Sequence, residues 1–128
     1  MKIYLEQNVF DAAIERLEYL YDEFDEVVVS FSGGKDSTTI LNLALMVAEK
    51  KNKLPVTVMF IDQEAEWRAV IEYVRRVMAD PRVNPHWLQI PIKLFNATSM
   101  DSPWLHCWSD NEKWMREKEQ ISIKKNVY

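Results

Sequence analysis

Between residues 30 and 37 the chain reads Ser30-Phe31-Ser32-Gly33-Gly34-Lys35-Asp36-Ser37. These residue types, in this order, suit an anion. Adjacent glycines let the backbone approach a ligand closely and take positive φ. A helix starting just after them presents unpaired N–H groups and the positive end of its dipole. Ser32 and Ser37 add hydroxyl donors, and Lys35 adds a mobile point charge suited to phosphate. Asp36 or Ser37 can cap the helix. A phosphate or pyrophosphate fits such a turn. The spacing excludes a Walker A loop, because Asp36 follows Gly34-Lys35 and Val29 stands where the first glycine belongs; G-x-G-x-x-G is absent as well.

A second polar cluster, Asp62, Glu64 and Glu66, follows the apolar run Val56–Ile61. A solvated helix N-terminus accounts for Glu64 and Glu66, since carboxylates are favourable there; a Mg²⁺-facing role is the alternative. Cys107 is the sole cysteine, so no intrachain disulfide forms and a reducing compartment fits. Between His106 and Trp108 it reads as a small buried hydrophobe rather than a nucleophile. His86, His106 and Cys107 lack the spacing of a metal site.

The elements that must position these residues follow from periodicity. Residues 9–24 form a helix with Phe10, Ala13, Leu17, Leu20 and Phe24 on one face and Asn8 as its cap. Val27–Phe31 is a short β-branched run, a strand buried on both faces. Residues 37–50 make a second helix, closed by Lys50, Lys51 and Lys53 where cations suit a helix end. Pro55 opens a strand over 56–61, and a third helix covers 64–79 until Asp80-Pro81 stops it. Glu72 and Arg76 in it stand at i,i+4. Trp87–Ile90 is the expected third strand. Residues 92–128 are aromatic rather than aliphatic, with a turn at Ser102-Pro103 and an expected helix over 109–120. That segment reads as a cap over the sheet edge, or as a lid or partner surface over a ligand. Helix and strand alternate, which predicts right-handed crossovers and a parallel sheet with ligands at the carboxyl ends of its strands.

The chain has 128 residues, 48% apolar and 28% charged, an ordinary globular composition with enough length to bury about two-thirds of its unfolded surface. One domain is expected: an N-terminal helix in 1–26, an α/β core in 27–91 and the aromatic cap in 92–128. The balance of 16 Lys+Arg against 20 Asp+Glu, net −4, disfavours direct nucleic-acid binding by bulk charge. The first residues lack an apolar leader, and no stretch approaches the ~18 apolar residues of a membrane span. A cytoplasmic protein without membrane contact is expected. Three strands leave open edges, so a homo-oligomer or a partner protein is expected too.

Ser32-Gly33-Gly34-Lys35-Asp36-Ser37 resembles the S-G-G-x-D-S signature of the PP-loop, or ATP pyrophosphatase, superfamily. Phe60-Ile61-Asp62-Gln63-Glu64-Ala65-Glu66-Trp67 resembles the second-strand segment of phosphoadenylylsulfate (PAPS) reductase-like proteins. Pro91–Ser99, Trp104, Cys107-Trp108 and Trp114-Met115-Arg116-Glu117 resemble the branch that includes immunoglobulin-binding regulators. Those relatives are much longer, so the chain corresponds to their N-terminal part. The resemblance implies an adenine nucleotide α-hydrolase-like, Rossmann-like fold. It implies that Ser30, Ser32, Gly33, Gly34, Lys35, Asp36 and Ser37 hold phosphates of ATP or PAPS, with Lys35 and Asp36 as the catalytic candidates. The backbone around Phe60–Asp62 would lie against the adenosine, and Asp62 would take a ribose hydroxyl or a metal-bound water. Adenylating chemistry in the superfamily attacks the α-phosphorus of ATP and releases pyrophosphate, with Mg²⁺ and Lys35 offsetting charge. Sulfonucleotide reductases use a cysteine near the C-terminus, and some relatives hold an iron–sulfur cluster with cysteine pairs; this sequence has neither. The alternative is a regulatory module that binds nucleotide without turnover and acts through a protein partner.

Overall fold

The computed structural model describes residues 6–125; residues 1–5, read above for a leader, lie outside the described residues. Helix α1 (Val9–Glu23) starts where Asn8 accepts a hydrogen bond from the Asp11 amide at 2.9 Å. It buries Tyr21 and packs Ile14 and Leu17 against the core. Strand β1 (Val28–Ser30), helix α2 (Lys35–Lys50), strand β2 (Val56–Ile61), helix α3 (Arg68–Met78) and strand β3 (Val83–Leu88) follow. The strands form one parallel sheet in the order β1-β2-β3, in register Val28↔Thr57 and Val56↔Val83. This is the expected Rossmann-like α/β architecture.

Both crossovers advance across the sheet in the same direction. Right-handedness therefore puts α2 and α3 on one face. That face is the core: Val29, Phe31, Val56, Val58, Phe60 and Trp87 pack against Leu41, Leu45, Ile71 and Val74. The opposite face carries Val28, Thr57, Met59, Asn84, His86 and Leu88 along a shallow groove, with Val28 52% and Ile61 47% exposed. A parallel sheet is ordinarily covered on both sides, so the expected two-sided burial of the first strand holds for one side only.

Several boundaries depart from expectation. Helix α2 begins at Lys35, two residues early, with Gly34 as its cap and no capping side chain. Asp36 and Ser37 thus sit inside the first turn and cannot cap it. Helix α3 begins at Arg68, not Glu64, because the Glu64 amide donates to Asp62 at 2.8 Å and Glu64 takes φ +65°. Glu64 and Glu66 precede the helix instead of lining its first turn. Arg68, not Arg76, pairs with Glu72 at 2.7 Å, while Arg76 lies over the Tyr73 ring. Strand β3 runs earlier than Trp87–Ile90; as an edge strand it tolerates Pro85.

The segment after β3 is a two-stranded antiparallel hairpin, β4 (Ile92–Phe95) with β5 (Trp104–Cys107), and then turns. The expected helix over 109–120 does not form. Its amides are taken by core side chains instead: Met115 N–H donates to Glu64 Oε1 at 2.8 Å and Glu119 N–H to Gln89 Oε1 at 2.6 Å. The chain then returns to the open edge of β3, where Ile123 donates to Trp87 and accepts from Gln89. The aromatic segment caps that edge. Among the described residues no helix is long and apolar enough to cross a membrane.

Candidate functional site: the turn between the first strand and the second helix

The loop from Ser32 to Ser37 stands at the carboxyl end of the parallel sheet. Phe31 extends the ladder by donating to Met59 O at 2.8 Å, and its buried ring anchors the loop's entry. Gly33 then takes φ +75°. A Cβ there would lie 3.0 Å from Val70 Cγ1 and 3.4 Å from Val74 Cγ2. Gly33 is therefore fixed by its own backbone and by the close approach of α3. Gly34 is different: its backbone is extended, and an added Cβ would meet only Ser32 Oγ, at 3.4 Å. What Gly34 keeps open is the space in front of the helix.

The hydroxyls face inward. Ser37 Oγ donates to Gly34 O at 3.0 Å and stands 3.0 Å from Ser32 Oγ; the Ser32 amide donates to Ser37 Oγ at 3.3 Å. Thr38 Oγ1 donates to the same Gly34 carbonyl at 2.8 Å, and the Thr38 amide donates to it at 3.0 Å. Three donors thus hold one carbonyl toward the helix. Because the peptide is planar and trans, the Lys35 N–H points the opposite way. The first-turn amides of α2 have no helical acceptor, and among the described residues no side chain caps them. Lys35 and Asp36 are exposed. The result is a braced, uncapped helix terminus of the kind that takes an anion. Ser30 is exposed as well, on the uncovered face of the sheet.

The second predicted group behaves otherwise. Asp62 is fully buried. Its Oδ2 accepts from Trp87 Nε1 at 2.7 Å and Gln89 Nε2 at 2.9 Å; its Oδ1 accepts from the Glu64 amide and from Arg116 Nη2. Four donors fill the carboxylate, which leaves it nothing for a metal-bound water or a ribose hydroxyl. Trp108, also fully buried, donates through Nε1 to Asp62 O at 2.8 Å, and the Arg116 guanidinium lies over its ring. Glu64 accepts from the Trp108 amide at 2.5 Å and from the Met115 amide. Asp62 and Glu64 are the latch that holds the cap to the end of β2. Among the described residues no group of three or more metal-ligating side chains gathers, and Asp62 does not fit a Mg²⁺.

Phe60 is buried with its ring edge-on to Trp87 at 5.5 Å, so only its backbone can face a ligand. Glu66 is partly buried; burial first, and Asp62 second, push its carboxyl above the ordinary range, with Arg116 opposing. Burial, then Glu64 and Asp62, raise the Cys107 thiol, the reverse of what a nucleophile needs. Sequence reasoning gave no role to Arg116, Gln89, Thr38 or Tyr73. The signal for Arg116 was a carboxylate, Asp62, at the end of an apolar strand that required a buried cation.

A three-stranded parallel sheet with a glycine-braced helix terminus at its carboxyl edge defines a protein of the Rossmann-like α/β class. The family model of the phosphoadenosine phosphosulfate reductase domain matches residues 26–123, and the chain belongs to that family. It is 35% identical over 125 residues to the uncharacterized protein YbdN of Escherichia coli (strain K12). The match covers 95% of this chain and 30% of that relative, so the chain spans under a third of its length.

Proposed function

We propose that the chain binds an adenine nucleotide, ATP or PAPS, with its phosphates on the first turn of α2. The observation that carries this reading is the uncapped helix terminus, whose Gly34 carbonyl is tied inward so that the amides behind it face out. Membership of the PAPS reductase family supplies the nucleotide class. Gly33 and Gly34 admit the phosphate, Lys35 offsets its charge, and Asp36 stands beside it in the first turn. Ser32 and Ser37 shape the loop by bonding to each other and can rotate a hydroxyl outward once a phosphate competes for it. The adenosine lies against the backbone of Phe60–Asp62. Any Mg²⁺ enters with the nucleotide, since Asp62 is saturated.

If the chain is an enzyme, its reaction is nucleotidyl transfer. An acceptor oxygen attacks the α-phosphorus, the bond to the β-phosphate oxygen breaks, and pyrophosphate leaves with its charge offset by Lys35. Reduction of PAPS by a cysteine of this chain is not part of the proposal, because Cys107 is the one thiol in the sequence and it is buried with a raised pKa. That same observation favours a second reading, a regulatory module of the immunoglobulin-binding-regulator type that binds nucleotide without turnover and acts on a partner. Both are compatible with the reducing cytoplasm that a single cysteine suits.

Pyrophosphate release from ATP across a panel of acceptors, with and without Lys35→Ala, separates the two. Turnover lost in the variant supports the enzyme. Binding without turnover supports the module.

A further inference from the structure

We infer that Tyr73, on α3, is a positioning residue of the phosphate-binding turn. The inference rests on the nucleotide reading above and deepens it. The Tyr73 hydroxyl donates to Thr38 Oγ1 at 3.2 Å, and Thr38 Oγ1 donates to the Gly34 carbonyl at 2.8 Å. A hydroxyl has one proton. With Tyr73 filling a lone pair of Thr38 Oγ1, the Thr38 proton is directed at Gly34, where it joins the Ser37 hydroxyl and the Thr38 amide in fixing the Gly34–Lys35 peptide plane. The plane decides where the Lys35 N–H points. A residue 35 positions from Thr38 in sequence therefore sets the aim of the amide that faces the anion.

Tyr73 is itself held. Its ring meets Phe31 edge-on at 5.9 Å, and the Arg76 guanidinium covers it at 5.5 Å from the centroid. Phe31 is the residue that leads into the loop, and Val70 and Val74 of the same helix press on Gly33. Helix α3 thus touches the turn at three places: the entry through Phe31, the glycine through two valines and the helix cap through a hydroxyl relay. The two apolar contacts need no hydroxyl. The relay is the part that a core role does not explain, because phenylalanine would fill the same space.

The test uses Tyr73→Phe, Thr38→Val and Thr38→Ser in the full chain. Calorimetric titration with ATP and with PAPS is paired with the amide spectrum of the ligand-free protein. In wild type, binding is expected with either nucleotide. Tyr73→Phe should weaken it about threefold and shift the Lys35 amide resonance, while losing a hydrogen bond that the ligand-free protein already makes lowers the melting temperature by a few degrees at most. Thr38→Val should weaken binding by a similar factor, and the double variant should add little to it, because one relay has been cut twice. Thr38→Ser, which keeps the hydroxyl, should restore wild-type affinity. Unchanged affinity and an unmoved Lys35 amide in Tyr73→Phe overturn the positioning role while leaving the nucleotide site intact. No binding by wild type, with a Lys35 amide that still shifts in Tyr73→Phe, overturns the nucleotide reading and keeps the relay.

Discussion

Two turns leave the carboxyl end of the same sheet, one after β1 with Ser32, Asp36 and Ser37, and one after β2 with Asp62, Glu64 and Glu66. They differ in what their polar groups already hold. After β2, every Asp62 lone pair has a donor, Glu64 accepts two amides, and Arg116 joins the network from over Trp108, with its Nη1 alone left without a hydrogen bond among the described residues. After β1, the side chains brace one another, and the first-turn amides of α2 carry no cap. A buried polar group that is fully partnered specifies structure. An exposed row of aligned donors without acceptors is prepared for something else. The difference separates the cap latch from the candidate ligand site without reference to residue type.

Breaking the latch should have the largest effect. Asp62→Ala strands the Arg116 charge and the Trp87 and Gln89 donors together. Losing one partner of a buried pair costs about 3–5 kcal/mol, enough to lower the melting temperature by about 10 °C or more. Calorimetric melting checks it; a variant that melts like wild type would remove the latch from the account.

The two glycines sharpen the contrast next. Gly33→Ala should cost about 2 kcal/mol or more, since left-handed φ is unfavourable for other residues and the new Cβ meets Val70 at 3.0 Å. Gly34→Val should leave the fold nearly as stable, with only the smaller loss of a good cap residue, yet block the anion. Thermal melts with and without ATP compare them. Wild type should gain about 2.7 kcal/mol at a ligand concentration of about 100 Kd, and Gly34→Val should gain nothing.

A smaller effect comes from Glu66. Its folded pKa lies above its unfolded value because of burial and Asp62, so the native state binds more protons and stability falls as pH rises through that window. Glu66→Gln should therefore stabilise the protein at neutral pH, with the gain fading below the ordinary glutamate pKa. Melts from pH 3.5 to 8 read it; a gain that grows in acid contradicts the assignment.

We propose that the exposed face of the sheet and the edge of β1, which pairs with no further strand among the described residues, take a second copy or a partner protein. Light scattering at micromolar concentration should report more than one copy per particle, and a monodisperse monomer would contradict a homo-oligomer.

The α/β order was legible because its elements are locally consistent. Val56–Ile61 is bounded by Pro55 and Asp62, and α2 runs apolar from Ile40 to Ala48, Asn42 excepted, before its closing lysines. The glycine turn between β1 and α2 was legible for the same reason: glycine pair, cation and hydroxyls are contiguous. The cap was not. Its hairpin has Phe95 and Trp104 exposed on each other, with no apolar alternation facing a core. The turns after it are set by Glu64 and Gln89, side chains about 30 to 50 positions away in sequence. Asp62 looked like a ligand because a lone carboxylate after a buried strand has that meaning locally; only the return of Arg116 gives it another.

The central claim is that the amides at the start of α2 hold the phosphate of an adenine nucleotide. Isothermal titration of wild type and Gly34→Val, side by side with ATP and with PAPS, tests it most directly. Heat of binding in wild type, and none in a variant that keeps its ligand-free melting temperature within a few degrees, is the predicted result. No heat in wild type with either nucleotide at millimolar concentration, or equal binding by both proteins, would contradict it.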